Sequence, residues 1–380
     1  MIPAQPIVSS GRGVGAKKAV CQIIGLPNNR LSGIHLSRNA YAVVLRSIFP
    51  DLIEASAAPD KSYAVNIWAA RVLTSRSLDE LAARRREGIN VWCFVWESTV
   101  LPAGAVETCG VMDQVWVPSE FVRSVCIAGG MPAEKVRLVP YFLELPVRGR
   151  KRPFPFAPFT VLVSFDGRSS MNRKNVEGAI LAFRLAFSAR GAKAVKLRIK
   201  TRELRPVDQD VLMGWIDGDP RIDLVNETVA EVDDLYDGAD VLLHLHRAEG
   251  YGRHVIEAQL RGLPVICTAY SGPMDWCDAR STHLVPYRMV STAVQTEYQY
   301  PQGGEWADPS APNAALHLQS LHLGERVGNY RKRERIQAAS RAAADWCAME
   351  RSRAAMVAAL NALGVWVGLA RFLWARDFTG

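Results

Sequence analysis

The run Val241-Leu-Leu-His-Leu-His-Arg-Ala-Glu249-Gly250-Tyr251-Gly252-Arg253-His254-Val255-Ile256-Glu257 carries the strongest chemical signal in the chain. An apolar stretch stops at a glutamate, a Gly-x-Gly turn follows, and a helical pattern opens with a second glutamate inside it. Gly250, Tyr251, Gly252 and Arg253 would then offer backbone N–H groups to an anion at a helix start, where the helix dipole also favours negative charge. Phosphate would repel Glu249 and Glu257, so their carboxylates suit hydroxyls of a ribose or a sugar instead. An anion with hydroxyl-bearing groups on either side describes a nucleotide-sugar. The competing reading leaves both glutamates solvated, as glutamates mostly are.

A second segment, Phe165-Asp-Gly167-Arg168-Ser-Ser-Met-Asn-Arg173-Lys174-Asn175, follows another apolar run. It reads as a polar loop with three cations at the carboxyl end of a strand. Arginine through its planar fork and lysine as a point charge could neutralise a diphosphate; an ordinary solvated basic loop is the alternative. Gly33, after Ser32, lets backbone approach a ligand closely at the start of the first helix. Glu97, after Trp96, ends a buried run and could orient an acceptor hydroxyl or act as a general base. Ser271-Gly272-Pro273-Met-Asp275-Trp276 could close a sugar pocket. His244, His246 and His254 match no zinc spacing, and a strand does not converge its side chains, so no metal is expected. His246 and Arg247 are expected to support the loop.

These residues need strands that end together and helices that start there. Apolar runs at Ala19–Leu26, Tyr63–Trp68, Ile89–Trp96, Val111–Pro118 and Val136–Pro140 read as strands, with helices at Ile34–Ser47, Ser77–Arg86 and from Glu120, which Ser119 caps. Pro146–Pro158 holds four prolines and the basic residues Arg148, Arg150, Lys151 and Arg152, a linker composition. Alternation then restarts. Phe159–Phe165, Val195–Lys200, Ile222–Val225, Val241–Leu245 and Leu263–Cys267 read as strands; Val176–Arg190, Val229–Tyr236 and Val255–Arg261 read as helices. Beyond about Ile336 the pattern is Ala-rich and helical. Two doubly wound α/β units in tandem are implied: 1–148, 149–335, and a helical segment at 336–380. Gly11-Arg-Gly13-Val-Gly15 is only a weak hint of a dinucleotide loop, because no strand precedes it.

The 380 residues are too many for one ordinary core. A formal charge of +8 fits anionic partners, but no aromatic-studded basic stripe points to nucleic acid. Seven cysteines without a Cys-x-x-Cys imply neither a disulfide scaffold nor a zinc knuckle, and favour a reducing cytosol. No uncharged apolar run is long enough to span a bilayer. The stretch Val365-Trp-Val-Gly-Leu-Ala-Arg371-Phe-Leu-Trp-Ala-Arg376 could lie in a membrane surface or pack as a terminal helix.

Together these motifs resemble the retaining family-4 glycosyltransferases. Glu249 and Glu257, eight positions apart, are similar to that family's glutamate pair, and Arg168 with Lys174 to its donor-diphosphate pair. Gly262-Leu-Pro264-Val-Ile-Cys-Thr268, Val115-Trp-Val-Pro-Ser119-Glu-Phe and Val136-Arg-Leu-Val-Pro140 look like its flanking strands. Val95-Trp-Glu97, His246-Arg-Ala-Glu249 and Gly304-Glu-Trp-Ala-Asp-Pro309 suggest a bacterial polysaccharide subgroup. The first glycine-rich loop is reduced to Ser32-Gly33, the family's first-domain histidine has no counterpart, and His254 stands where an apolar residue is common.

The resemblance implies a GT-B fold: two Rossmann-like domains facing across a cleft, with C-terminal helices returning to the first. It implies transfer, with retention, of a sugar from GDP-mannose or a UDP-hexose to a glycan or lipid-linked hydroxyl. The site residues would be Glu249, Arg168, Lys174, Gly33, Gly250, Tyr251, Gly252, Arg253 and Glu257, with Glu97 on the acceptor side. No metal or other cofactor would be needed, and no nucleic acid bound. The protein would be cytoplasmic, at most peripheral on the anionic inner face of the plasma membrane. A nucleotide-sugar epimerase of the same fold and a non-catalytic nucleotide-sugar-binding protein are the alternatives.

Overall fold

The computed structural model describes residues 21–25, 33–55, 64–69, 88–144, 158–187, 194–292, 300–327 and 330–365. Among them, two six-stranded parallel sheets carry the fold. The first holds β1 (Cys21–Gly25), β2 (Ile53–Ala55), β3 (Val65–Ala69), β4 (Ile89–Cys93), β5 (Gln114–Val117) and β6 (Val136–Leu138), in the order β2-β1-β3-β4-β5-β6. The second holds β7 (Phe159–Ser164), β8 (Val195–Thr201), β9 (Ile222–Asn226), β10 (Val241–His244), β11 (Val265–Thr268) and β12 (His283–Val285), in the order β12-β11-β10-β7-β8-β9. That second order reverses direction between β7 and β10, and in open α/β sheets ligands bind beyond the carboxyl ends of the strands at such a switch. Every residue of β7 and β10 is buried, as expected where helices cover both faces of a parallel sheet.

The helices are α1 (Gly33–Ile48), α2 (Ala105–Val111), α3 (Glu120–Ala128), α4 (Met171–Lys174), α5 (Val176–Ala186), α6 (Pro206–Ile216), α7 (Val232–Tyr236), α8 (Arg253–Leu260), α9 (Ala311–Val327), α10 (Tyr330–Trp346) and α11 (Met349–Asn361). The Ser119 cap is present, accepting from Val122 N at 3.3 Å. Helix α11 returns to the first sheet: Ser352 Oγ donates to Pro140 O at 2.8 Å, and Gln114 Nε2 donates to Ala359 O at 2.9 Å. One apolar core therefore joins Tyr41, Trp116 and Tyr141 to Tyr251 and Trp276 of the second sheet's side and to Trp346. A separate core fills the second domain around Phe183, Leu197 and Leu243.

Several elements differ from the sequence reading. The expected strand Val111–Pro118 is preceded by a helix ending at Val111 and starts only at Gln114. The cation-bearing loop is a helical turn, α4, capped by Ser170. The helix expected from Val229 starts at Val232. Helix α6 was missed, although Pro206 in its first turn is a start signal. Terminal helices begin at Ala311, well before Ile336, and α10 runs through the expected segment edge at 335. An antiparallel hairpin, β13 (Tyr287–Ser291) with β14 (Glu305–Pro309), was also unforeseen. It bridges to the first domain: Glu305 N donates to Thr99 Oγ1 at 2.8 Å, and the Tyr300 ring lies 5.6 Å from both Trp96 and Trp306. The weak glycine loop at 11–15, the helix at 77–86, nearly all of the proline-rich linker and most of the terminal stretch fall outside the described residues.

Candidate active site

Strand β7 ends at Ser164, and the chain turns through Ser170, whose hydroxyl accepts from Arg173 N at 3.1 Å. Asn175, in the left-handed region at φ 53, ends α4 and caps α5 through Gly178 N. This tight double cap lets Arg173 and Lys174 reach across to the end of β10. Lys174 Nζ lies 2.5 Å from Glu249 Oε1, and Arg173 Nη1 lies 3.5 Å from Glu249 Oε2. Arg173 also donates to Ala248 O (2.8 Å) and Ser169 Oγ (2.7 Å), and sits 3.7 Å from Glu97 Oε1 of the first domain. His244 Nε2 is 3.2 Å from Glu249 Oε1. Ser271 Oγ accepts from Glu249 N at 2.9 Å, so the segment after β11 holds the glutamate backbone in place.

The cluster lies at the β7–β10 switch. Burial acts to raise the Glu249 pKa, but Lys174 and Arg173 outweigh it and hold the carboxyl well below its usual range. Burial lowers the Lys174 pKa, and Glu249 opposes that. Burial also drives the His244 pKa down to about 3 against the opposing hydrogen bond to Glu249, and lowers those of His246 and His254. All three imidazoles are therefore neutral at pH 7. His246 Nε2 lies 3.1 Å from Tyr270 O, and Arg247 Nη1 donates to Asn172 O at 2.9 Å, so they tie the end of β10 to the segment after β11 and to the helical turn α4. Among the described residues, no group of three His, Cys, Asp or Glu side chains converges as metal ligands.

Gly252 adopts φ +93 just before α8, and no side chain caps that helix. Its start is thus left to backbone donors, the arrangement suited to an anion. Glu257, one turn on, is buried; it accepts from Tyr236 Oη at 2.8 Å and from Arg253 Nε at 2.5 Å. Burial acts to raise its pKa, and Arg253 leads the effects that lower it overall. Gly250 is a contact between domains as well as a turn residue. A Cβ there would collide with Val95 Cγ2 and meet Trp96 O at 3.0 Å, while Gly250 O accepts from Ser119 Oγ at 2.6 Å.

The structure brings together Glu249, Lys174 and Glu97, with Arg173 between the two glutamates. Arg173 belonged to the expected cation segment but had no assigned contact. Arg168 is turned to other partners: Asp166 holds its Nη2 at 3.0 Å, and Glu203 lies 3.2 Å from its Nε. Tyr251 is committed to the core, its hydroxyl donating to Tyr141 O at 2.9 Å and its ring packing on Trp276. Gly33 opens α1. Tyr236, the partner of Glu257, escaped the sequence reading because 21 positions separate the two residues and only the fold joins them.

Residues 160–296 match the family model described as "Glycosyl transferases group 1". Anabaena HepE, solved with UDP and glucose, is similar at TM-score 0.64 and 14% identity, over 90% of this chain and 99% of that one. A glycosyltransferase from Rickettsia africae is similar at TM-score 0.62 and 12% identity, over 92% and 99%. The lipopolysaccharide outer core galactosyltransferase WaaB is similar at TM-score 0.59 and 13% identity, over 90% and 99%. No curated protein sequence matches. The fold shared with these structures is GT-B, and with the group 1 domain match it supports a GT-B glycosyltransferase.

Proposed function

We propose that the chain is a retaining, family-4 hexosyltransferase that moves a sugar from a nucleoside diphosphate to a hydroxyl of a glycan or lipid-linked acceptor, in polysaccharide or lipopolysaccharide synthesis. The observation that carries this reading is the buried Arg173–Lys174–Glu249 cluster at the strand-order switch, beside the uncapped start of α8. Lys174, Arg173 and the α8 N-terminus would face the diphosphate and stabilise the charge that develops on it as the glycosidic bond breaks. Arg168, braced by Asp166 and Glu203, would flank them. Glu249 would accept hydrogen bonds from hydroxyls of the transferred sugar, and Glu257, with Tyr236 beside it, from the ribose. Glu97 would meet the acceptor. In front-face transfer the leaving phosphate oxygen takes the acceptor proton, so neither a protein nucleophile nor a metal is required.

HepE is solved with UDP-glucose, which favours a UDP-hexose over GDP-mannose as donor here; WaaB is named a galactosyltransferase, which favours a hexose. The accompanying division assigns the first sheet's unit to the acceptor and the second sheet's unit to the donor, with α11 as the helix that returns to the first. Among the described residues no helix is long and apolar enough to cross a membrane. A cytoplasmic protein that touches an anionic membrane at its surface fits the proposed lipid-linked acceptor.

Incubation with labelled UDP-glucose, UDP-galactose, UDP-N-acetylglucosamine and GDP-mannose tests the proposal, with the anomeric configuration of the product read by NMR. An α-linked product from an α-donor supports it. An epimerised donor would point to the epimerase, and donor binding with neither transfer nor hydrolysis to a binding protein.

A further inference from the structure

A cavity of about 890 Å³ opens between α5, the end of α6, the root of the β13–β14 hairpin and the start of α9. Its lining residues all lie between 175 and 312, and Lys174, Glu249 and Glu257 are not among them. It is therefore a space separate from the cluster at the β7–β10 switch. Its size is that of a small-molecule site. Trp215, Tyr287 and Leu181 give it apolar surface, and Leu181 and Tyr287 are 50% and 40% exposed. Glu177 is exposed at its edge.

The charges in the cavity decide the ligand class. Arg288 Nη2 lies 3.2 Å from Asp308 Oδ2, Arg247 Nη2 lies 3.2 Å from Asp308 Oδ1, and Arg184 Nε lies 3.6 Å from Asp219 Oδ2. Although Arg288 and Arg247 share Asp308, the lining as a whole sets Arg184, Arg247 and Arg288 against Glu177, Asp217 and Asp308, so the cavity carries no net positive charge for a phosphate. A neutral polyol fits instead. Its C–H faces can lie on aromatic and aliphatic surface, and its hydroxyls can both donate to carboxylates and accept from guanidinium N–H groups.

We propose that this cavity is a second carbohydrate-binding groove, which holds a neutral oligosaccharide segment of a glycan away from the point of transfer. The proposal deepens the transferase reading and rests on it, since the glycan would be that enzyme's acceptor or product. Two contacts connect the groove to the rest of the molecule. Arg247, in its wall, donates to Asn172 O at 2.9 Å in the helical turn that carries Lys174. Tyr287 packs 5.1 Å from Tyr270, which packs 5.4 Å from Phe121 of the first domain. A glycan seated here would lie beside the contact between the domains.

The test uses the full chain labelled with 5-fluorotryptophan, its Trp215 resonance assigned by Trp215→Phe, and titrated with maltotriose, cellotriose, mannotriose and chitotriose. At least one trisaccharide is expected to shift the Trp215 resonance. Tyr287→Ala, and separately Glu177→Gln at the exposed edge, should weaken that binding, Tyr287→Ala by about tenfold, which corresponds to roughly 1.4 kcal/mol. Lys174→Ala should leave it unchanged. UDP binding is measured in the same samples and should be unaffected by Tyr287→Ala, so a failure of the groove is distinguishable from a failure of the transferase reading. Absence of any shift at Trp215 overturns the groove, as does trisaccharide binding that survives both Tyr287→Ala and Glu177→Gln.

Discussion

Lys174 and Arg173 approach opposite oxygens of one buried carboxylate, so removing either cation does two things. It removes a cation from the proposed diphosphate site and leaves Glu249 with less compensation. Lys174→Ala is expected to weaken nucleotide binding by roughly 1.5–3 kcal/mol, the cost of one charge-assisted hydrogen bond. It should also lower stability by about 3–5 kcal/mol, as breaking a buried ion pair does. The double variant Lys174→Met with Glu249→Leu should melt above Lys174→Ala while binding nucleotide no better. Calorimetric titration with UDP and thermal melts of the three proteins check both parts; a double variant that melts at or below Lys174→Ala would contradict them. Glu257→Ala is likewise expected to weaken nucleotide binding in the same titration. Because side-chain cations face the proposed diphosphate, transfer is expected to persist in EDTA. Complete loss of transfer restored by manganese or magnesium would show that a metal takes part.

At the scale of elements, the Gly-x-Gly turn serves both domains. Gly252 supplies a positive φ that other residues adopt only with strain, and Gly250 supplies the space into which Val95 and Trp96 fit. Gly250→Ala would push a methyl group against the backbone at Trp96 O, which a rotamer change cannot relieve, and against Val95. A loss of about 1–3 kcal/mol in stability is expected from this overpacking. Because Trp96 adjoins Glu97, transfer should fall further than UDP affinity, which steady-state kinetics in UDP-hexose and acceptor would separate. Equal losses in both would mean that the turn acts on the donor side alone. The hairpin that contacts Trp96 and Thr99 from the other side is a second brace on the same loop.

For the whole molecule, buried histidines set the response to acid. His244 has a folded pKa of about 3 against an ordinary 6.5, so across that window the unfolded chain binds a proton that the native state does not. Stability therefore falls as pH drops from 6.5 towards 3, by about 1.36 kcal/mol per pH unit for each such group at full effect. His246 and His254 act in the same direction. Asp275 opposes them: burial raises its pKa to about 6, so the native state gains from its protonation between about 6 and the ordinary 3.8. Asp275 accepts from Glu120 N at 2.9 Å at the domain contact. The melting temperature should fall between pH 6.5 and 4, and fall more steeply in Asp275→Asn; a shallower fall in that variant would refute the assignment. The formal charge of +8 gives a further expectation, that the protein co-sediments with anionic vesicles at low salt and releases as salt rises. No sedimentation with such vesicles at low salt would remove the membrane from the proposal.

What the sequence alone determined is local. Strand-to-helix alternation, the Ser119 cap, the glycine turn before α8 and the two glutamates are written in short-range pattern, because hydrophobic period and capping act over a few residues. The sequence also placed a cation segment after β7. It could not choose which cation meets Glu249, since that depends on the double cap at Ser170 and Asn175 and on strands β7 and β10 lying side by side, 75 positions apart at the Lys174–Glu249 contact. Tertiary structure turned Arg168 to Asp166 and Glu203, carried Tyr251 into the core, set Tyr236 on Glu257, and placed Glu97 across the domains from Arg173. It also decided that a hairpin with little sequence signature braces the first domain. Each of these outcomes turns on which distant groups share a buried volume, and that is settled by packing rather than by neighbours in the chain.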